Sequence, residues 1–302
     1  MEMYLTDICN LKCLHCNIWT KQLVKPTMDL AQIKVLFRQA WYMGVEYVGY
    51  SGGEPLLHRD FSEVIRLGKT FGFKQHVTTN ATIVTKEKAE AMAESCEGVG
   101  VSIDGIGPVF EEIRRTPWRN VERGLNVLID AGVPVSLGLV ITARNIHNVR
   151  DVMRYADDRE LVLGVQPYNK GGIVMPDGMM DDSDLALRPE HGPLLAELMA
   201  EFAMRIPDQQ DYHRFLFDYA MHDSKPTNCY ISFEKFVVES NGDVRPCHVF
   251  PVIGNVFKTP LRDIWFSKAY DEMRNQMMAC KRCYLGCFEH LNIATNKRLG
   301  LL

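Results

Sequence analysis

Residues 9–16 read CNLKCLHC, three thiols within eight positions, spaced by four and then three residues. The 302-residue chain holds nine cysteines, an odd number that suits no complete disulfide framework in a compartment that keeps thiols reduced. Cys9, Cys13 and Cys16 stand at the front, Cys96 is alone, and Cys229, Cys247, Cys280, Cys283 and Cys287 fall in the last quarter. Structural zinc prefers four ligands, commonly in C-x-x-C pairs. Three clustered thiolates instead satisfy three corners of a cubane iron–sulfur cluster and leave one iron without a protein ligand. An iron left open in that way is a site for a substrate or cofactor.

The stretch directly follows an apolar run at 3–8 (MYLTDI), the first of six candidate strands; the others lie at 46–50, 74–79, 98–103, 133–141 and 160–166. Helical patterns at 29–44, 59–72, 84–94, 119–132 and 146–158 separate them. This alternation predicts an α/β fold with parallel strands joined by crossover helices. Six units are fewer than the eight of a closed barrel, so an open, partial (β/α)6 TIM-like barrel is expected. Reactive groups in such sheets gather at the carboxyl ends of strands, which places the three-thiol loop on the functional rim. Three further motifs end strands two to four: SGGEP (51–55), TTN (78–80) and VSIDG (101–105). Gly52 and Gly53 permit close backbone approach, and carbonyls together with the Glu54 carboxylate can accept from an ammonium group. Cys96 precedes strand four and is expected as a structural thiol at the amino end of the barrel.

C-x3-C-x2-C after strand one resembles the radical S-adenosylmethionine (SAM) superfamily. By that resemblance Cys9, Cys13 and Cys16 bind a [4Fe-4S] cluster whose fourth iron is chelated by the amino and carboxylate groups of SAM. Reductive cleavage of SAM to a 5′-deoxyadenosyl radical, followed by hydrogen abstraction from substrate, is the implied chemistry. His15 takes the place of the usual aromatic residue near the adenine. The 52–54 segment holds the methionine amino group, Thr78 and Asn80 stand at the end of strand three, and Ser102 and Asp104 suit ribose hydroxyls or the methionine end of SAM. Arg114 or Arg115 can pair with the SAM carboxylate through a two-pronged guanidinium.

The last quarter carries a second pattern. CYISFEKFVVESNGDVRPC (229–247) reads as a β-hairpin turned at Asn241-Gly242 with a thiol at each end. Its spacing, and the following IGNVFKTPLRDIWFS (253–267), resemble the SPASM and twitch domains found on a branch of radical SAM enzymes. A full SPASM domain carries seven cysteines for two clusters, whereas this segment has five, enough for one auxiliary [4Fe-4S] cluster with one thiol over. Cys229, Cys247, Cys280 and Cys283 form a hairpin-then-C-x-x-C set, leaving Cys287; CYLGC (283–287) offers the alternative in which Cys280 is the spare. Residues 1–206 are therefore expected as the partial barrel. A bridging helix and a small twitch/SPASM-like domain, with its hairpin and short helices, would follow at 207–302.

These readings imply oxidation (dehydrogenation) or epimerisation of a polar small molecule of sugar or aminoglycoside type, with Cys287 a candidate hydrogen donor to the substrate radical. The chain starts at strand one with no leader-binding segment before it, which inclines the reading towards a small molecule; maturation of a ribosomally made peptide is the alternative. A zinc-stapled binding protein is the alternative of another class. Flavodoxin or ferredoxin is the expected electron donor. The long segment 170–193 reads as a lid or binding loop, and Asp177, Asp181, Asp182 and Asp184 in it would favour a cationic substrate or simply be solvated. With 34 Lys plus Arg against 38 Asp plus Glu and no basic run, nucleic acid is not expected as a partner. No stretch approaches ~20 apolar residues and no signal-peptide pattern opens the chain, so no membrane partner and a cytoplasmic location are expected.

Overall fold

The computed structural model describes residues 1–21, 27–170 and 184–302. Six parallel strands form the barrel wall: β1 (Glu2–Thr6), β2 (Tyr47–Gly52), β3 (Lys74–Thr79), β4 (Gly98–Ser102), β5 (Val135–Ile141) and β6 (Val162–Pro167). Helices α1 (Leu30–Tyr42), α2 (Phe61–Thr70), α3 (Lys86–Ser95), α4 (Pro108–Arg114), α5 (Trp118–Asp130) and α6 (Val149–Asp157) lie in the crossovers. Local chemistry sets their starts. Asp29 and Gln32 form a reciprocal capping box that satisfies two otherwise unpaired N–H groups of α1, whose buried stripe is Ile33, Leu36, Phe37 and Ala40. Thr85 caps α3 singly, its side chain accepting from the Lys88 N–H.

The predicted six-unit order holds, with one addition. Helix α4 was not anticipated: it is short, begins at a Gly-Pro step, and ends at Arg115 in the left-handed region (φ 57°). Two longer helices follow the barrel, α7 (Gly192–Arg205) and α8 (Gln210–His222). Most of the expected 170–193 loop, with Asp177, Asp181 and Asp182, lies outside the described residues. Its last part is packed: Leu185 and Leu187 are buried, and Asp184 pairs with Arg144 at 2.7 Å.

The C-terminal segment does not form a separate layer. Its hairpin strands β7 (Val237–Val238) and β8 (Asp243–Arg245), with β9 (Gly254–Asn255), continue the barrel sheet in the order β6-β5-β4-β3-β2-β1-β7-β8-β9. β7 pairs parallel with β1 (Glu2↔Val237), whereas β7–β8 and β8–β9 are antiparallel. The hairpin turns at Asn241-Gly242 as expected, with Gly242 at φ 86°. It is shorter than the thiol-to-thiol reading, because Ile231–Glu234 is a helical turn, α9. Helices α10 (Leu261–Trp265), α11 (Lys268–Met278) and α12 (Gly286–Arg298) complete the chain. On the far edge, the approach to α12 docks on the end of β6: Tyr284 N–H donates to Asn169 Oδ1 at 2.6 Å and Gly286 N–H to Gln166 Oε1 at 3.2 Å. The C-terminal segment thus covers both open edges of the partial barrel.

The barrel interior is hollow. A closed barrel fills its centre with branched side chains. Here the register rows place Glu2, Gly49, His76 and Gly98 on one inner level and Thr78, Gly100 and Ser136 on the next, with Ser102, Gly138 and Gly164 above. A Cβ added at Gly49 would meet nothing within 4 Å, so that position leaves room rather than packing a core. The buried members of the same strands, such as Val77, Val99, Val101 and Leu137, face the helices.

Candidate functional site

The three front thiols stand where the strand-end rule puts them. Cys13 is buried while Cys9 and Cys16 are half-buried, and Cys9 lies within electrostatic reach of both others. Burial pushes the Cys9 thiol up to about 12 and raises Cys13 and Cys16 as well, so each sulfur would ionise only with a cation to bind it. They open on a cleft of about 280 Å³ whose wall also carries His15, Gly52, Gly53, Glu54, Thr78, Asn80, Ser102 and Arg114. Gln166, Tyr168, Asn169 and Leu285 line the same cleft and were missed. The first three stand at the carboxyl end of β6 or just after it, where the strand-end rule already pointed; Leu285 comes from the far C-terminal segment and carried no local signal.

Gly53 is held against the thiol loop. Its N–H donates to Thr6 O and that of Glu54 to Ile8 O, both at 2.7 Å. A Cβ on Gly53 would sit 2.1 Å from Ile8 O, so no side chain is tolerated there. Glu54 departs from the simple expectation of a free acceptor. Its Oε1 accepts from Thr79 Oγ1 at 2.6 Å and Leu56 N–H at 3.2 Å, and its Oε2 accepts from Asn80 N–H at 2.8 Å. Oε2 retains room for one further donor from the cleft. Burial raises Glu54 to about 7 despite these bonds. Asn80 in turn donates to Asn10 Oδ1 at 3.0 Å, tying the thiol loop to the end of β3.

Asp104, expected at ribose hydroxyls or the methionine end of SAM, is fully buried and is not among the residues of the cleft wall. Its Oδ1 accepts from Val140 N–H at 2.9 Å and its Oδ2 forms an ion pair with Arg114 Nε at 2.5 Å. His15 Nε2 stands 3.5 Å from the same oxygen. Burial lowers His15 to about 4, which keeps the ring neutral, and its Nδ1 has no hydrogen-bond partner among the described residues. Asp104 is therefore a positioning group for Arg114 and His15. Of the two candidate arginines, Arg114 reaches the cleft and donates from Nη1 to Cys13 Sγ at 3.8 Å. Arg115 is exposed and absent from the cleft wall.

The second thiol group gathers as well. Cys229 and Cys247 are buried with Ile231, Phe250, Met277 and Phe288, and Cys280 packs on the same cluster. Cys283 lies within electrostatic reach of Cys247, Cys229 and Cys280. Burial pushes Cys247 to about 11 and Cys283 to about 12. Among the described residues no three Cys, His, Asp or Glu side chains are close enough to share one metal ion; a cubane suits wider spacing, because each thiolate ligates its own iron. Cys287 stands apart, with Glu2 and Lys235 rather than the other thiols as its charged neighbours. Its side chain is exposed. Cys96 ends α3 at the amino side of β4, half-buried against the core.

A family model for the radical SAM superfamily matches residues 3–156, about half of the chain, and spans the three front thiols and the cleft-forming ends of the first five strands. The chain belongs to the radical SAM superfamily. A second model, for the SPASM iron–sulfur cluster-binding domain, matches residues 229–284; it takes in Cys229, Cys247, Cys280 and Cys283 and ends before Cys287. This radical SAM chain is 26% identical to an AdoMet-dependent heme synthase of Methanosarcina barkeri, over 98% of this chain and 92% of that one. It is 24% identical to the subtilosin biosynthesis protein AlbA of Bacillus subtilis, over 87% of this chain and 58% of that one. Its fold is similar to native anSMEcpe with bound AdoMet and Cp18Cys peptide (TM-score 0.72, 18% identity, 94% of this chain and 87% of that one). Streptococcus suis SuiB bound to the precursor peptide SuiA is comparably similar (TM-score 0.71, 18% identity, 90% of this chain and 66% of that one). The family brings a [4Fe-4S] cluster and SAM to the radical SAM domain and an auxiliary iron–sulfur cluster to the SPASM domain. Among the described residues no helix is long and apolar enough to cross a membrane.

Two predictions follow from the cleft. Arg114→Lys keeps charge but loses the fork that meets a carboxylate, and should raise the SAM dissociation constant about tenfold, while Arg115→Lys leaves it within about twofold. Equal effects, measured by anaerobic titration, would remove the distinction between them. The second concerns pH. With its folded value near 7 against 4.5 when exposed, Glu54 binds its proton more tightly in the folded chain. Its contribution is therefore most favourable below pH 4.5 and is lost as pH rises to 7, by about 3 kcal/mol in all. In the anaerobic, SAM-free protein, the stability of wild type relative to Glu54→Gln should fall between pH 5 and 7 and level off above; a pH-independent difference contradicts the assignment.

Proposed function

We propose that this radical SAM enzyme takes a hydrogen atom from a polar small molecule held on the hollow inner face of the barrel, giving dehydrogenation or epimerisation. The observation that carries the reading is the cleft itself. Three thiols with no fourth cysteine beside them share one wall with a glycine-forced backbone edge, a buried carboxylate and a guanidinium. Cys9, Cys13 and Cys16 would hold the cluster, which with SAM supplies the 5′-deoxyadenosyl radical. The free acceptor position of Glu54 and the carbonyls of Gly52 and Gly53 suit the SAM ammonium, and Arg114 suits its carboxylate. Ser102 and Thr78 offer hydroxyls at the cleft wall, and the neutral His15 ring offers a flat face for adenine. Glycines at 49, 100, 138 and 164 make the space below, and exposed His76 gives that space polar character.

Cys287 bears on the fate of the substrate radical. A hydrogen donor has to carry its hydrogen as S–H, the form that an exposed thiol such as Cys287 mainly holds at neutral pH. It is the second residue of α12, two positions after Leu285 of the cleft wall, and stands apart from the four thiols that we assign to the auxiliary cluster. That cluster would take the second electron when the substrate is oxidised, and flavodoxin or ferredoxin would reduce the first. A second reading, modification of a ribosomally made peptide, draws support from the likeness to AlbA and from the peptides bound to anSMEcpe and SuiB.

Anaerobic reconstitution with SAM and a reductant should yield 5′-deoxyadenosine; no product would sink the reading. On turnover in deuterated buffer, epimerisation fixes one solvent deuterium at carbon and is abolished by Cys287→Ala. Dehydrogenation lowers substrate mass by two and survives that substitution.

A further inference from the structure

Beside the second thiol group lies a buried ion pair that the proposed chemistry does not use. Lys225 Nζ stands 2.8 Å from Glu289 Oε2, with the two side chains 2% and 0% exposed. The same ammonium donates to Cys283 O at 3.1 Å and lies within electrostatic reach of the Cys229 and Cys283 thiols. Glu289 also accepts from Thr227 Oγ1 and, at 3.4 Å, from Asn292 Nδ2. Farther along α12, Asn292 Oδ1 accepts from Tyr230 N–H at 2.8 Å, and Asn296 both accepts from Asn228 N–H at 3.1 Å and donates to Asn228 O at 2.9 Å. One polar face of α12 thus holds the backbone around Cys229, with Lys225 and Glu289 as its buried charges; the exposed Lys281 adds a further cation, donating to Thr227 O at 2.7 Å.

Burying two charges is costly unless their mutual attraction and added hydrogen bonds offset the desolvation. A cubane with four thiolate ligands carries a net charge of about −2, and about −3 once reduced, so a nearby buried cation favours the reduced state. We propose that Lys225 raises the reduction potential of the auxiliary cluster and that Glu289 limits that rise while fixing the ammonium against Cys283. Lys225 and Glu289 are positioning residues for the electron acceptor. The proposal rests on Cys229, Cys247, Cys280 and Cys283 being the ligands of that cluster.

The test is an EPR-monitored redox titration of the full chain carrying Cys9→Ala, Cys13→Ala and Cys16→Ala, which leaves the auxiliary cluster as the only signal. In this background Lys225→Met should shift the midpoint to more negative potential and Glu289→Gln to more positive potential, and Lys225→Arg should restore the starting value. A purely structural pair would move both variants the same way. Shifts of the same sign, or none in either variant, overturn the proposal. If Lys225→Met does not retain iron, Glu289→Gln decides alone: a rise supports the proposal, and no change or a fall overturns it. The background chain should bind about four irons; none at all would remove the auxiliary-cluster reading itself, an outcome distinct from an unshifted midpoint.

Discussion

The contact on which the site depends is the close approach of Gly52-Gly53 to the end of β1. Two backbone hydrogen bonds of 2.7 Å, from Gly53 to Thr6 O and from Glu54 to Ile8 O, fasten the turn after β2 to the residue immediately before Cys9. The approach leaves no space for a side chain: a Cβ on Gly52 would lie 2.5 Å from Thr6 O. Once that edge is fixed, Glu54 is fixed, and through its carboxylate so are Thr79 and the Asn80 backbone at the end of β3. Asn80 then returns to Asn10 inside the thiol loop. A loop of reactive thiols, irregular by itself, acquires a rigid frame from three strand ends.

The opposite wall is set by charge rather than by close approach. Asp104, fully buried after β4, holds Arg114 against Cys13, while Leu14 N–H donates to Ile113 O at 2.9 Å so that α4 carries the other side of the thiol loop. The C-terminal segment then joins the two cysteine groups mechanically. β7 extends the sheet from β1, and the Tyr4 hydroxyl hydrogen-bonds His248 Nδ1 at 2.5 Å, next to Cys247. His248 stacks on Phe288 at 5.1 Å between centroids. The auxiliary site is therefore anchored on the strand that precedes the first thiol loop.

Much of this was legible in the sequence because the physical signals are local. Each barrel strand is a short apolar run, each crossover helix has an apolar stripe, and the thiol spacings concern neighbouring residues. Where the signal needed a partner distant in sequence, the reading was incomplete. Arg114 and Arg115 are adjacent and chemically alike; only the left-handed end of α4 separates a buried guanidinium from an exposed one. Glu54 looked like an open acceptor because two of its donors, Thr79 and Asn80, come from the end of β3, some 25 residues on. Asp104 looked like a ligand contact because its partners on β5 and α4 were unseen. The attachment of β7 to β1 spans more than 200 residues and rests on a two-residue strand, which carries too little pattern to be read. The inner-face glycines fell inside the expected strands, but only the register shows them lying across neighbouring strands from one another.

The account turns on the claim that the cluster held by Cys9, Cys13 and Cys16 keeps one iron for SAM. The most direct measurement is electron–nuclear double resonance on the reduced protein with SAM labelled with nitrogen-15 at its methionine amino group. The account predicts a hyperfine coupling from that nitrogen to the cluster, present in wild type and absent in Cys13→Ala. A cluster that forms and is reduced, yet shows no coupling to the labelled nitrogen, would contradict it.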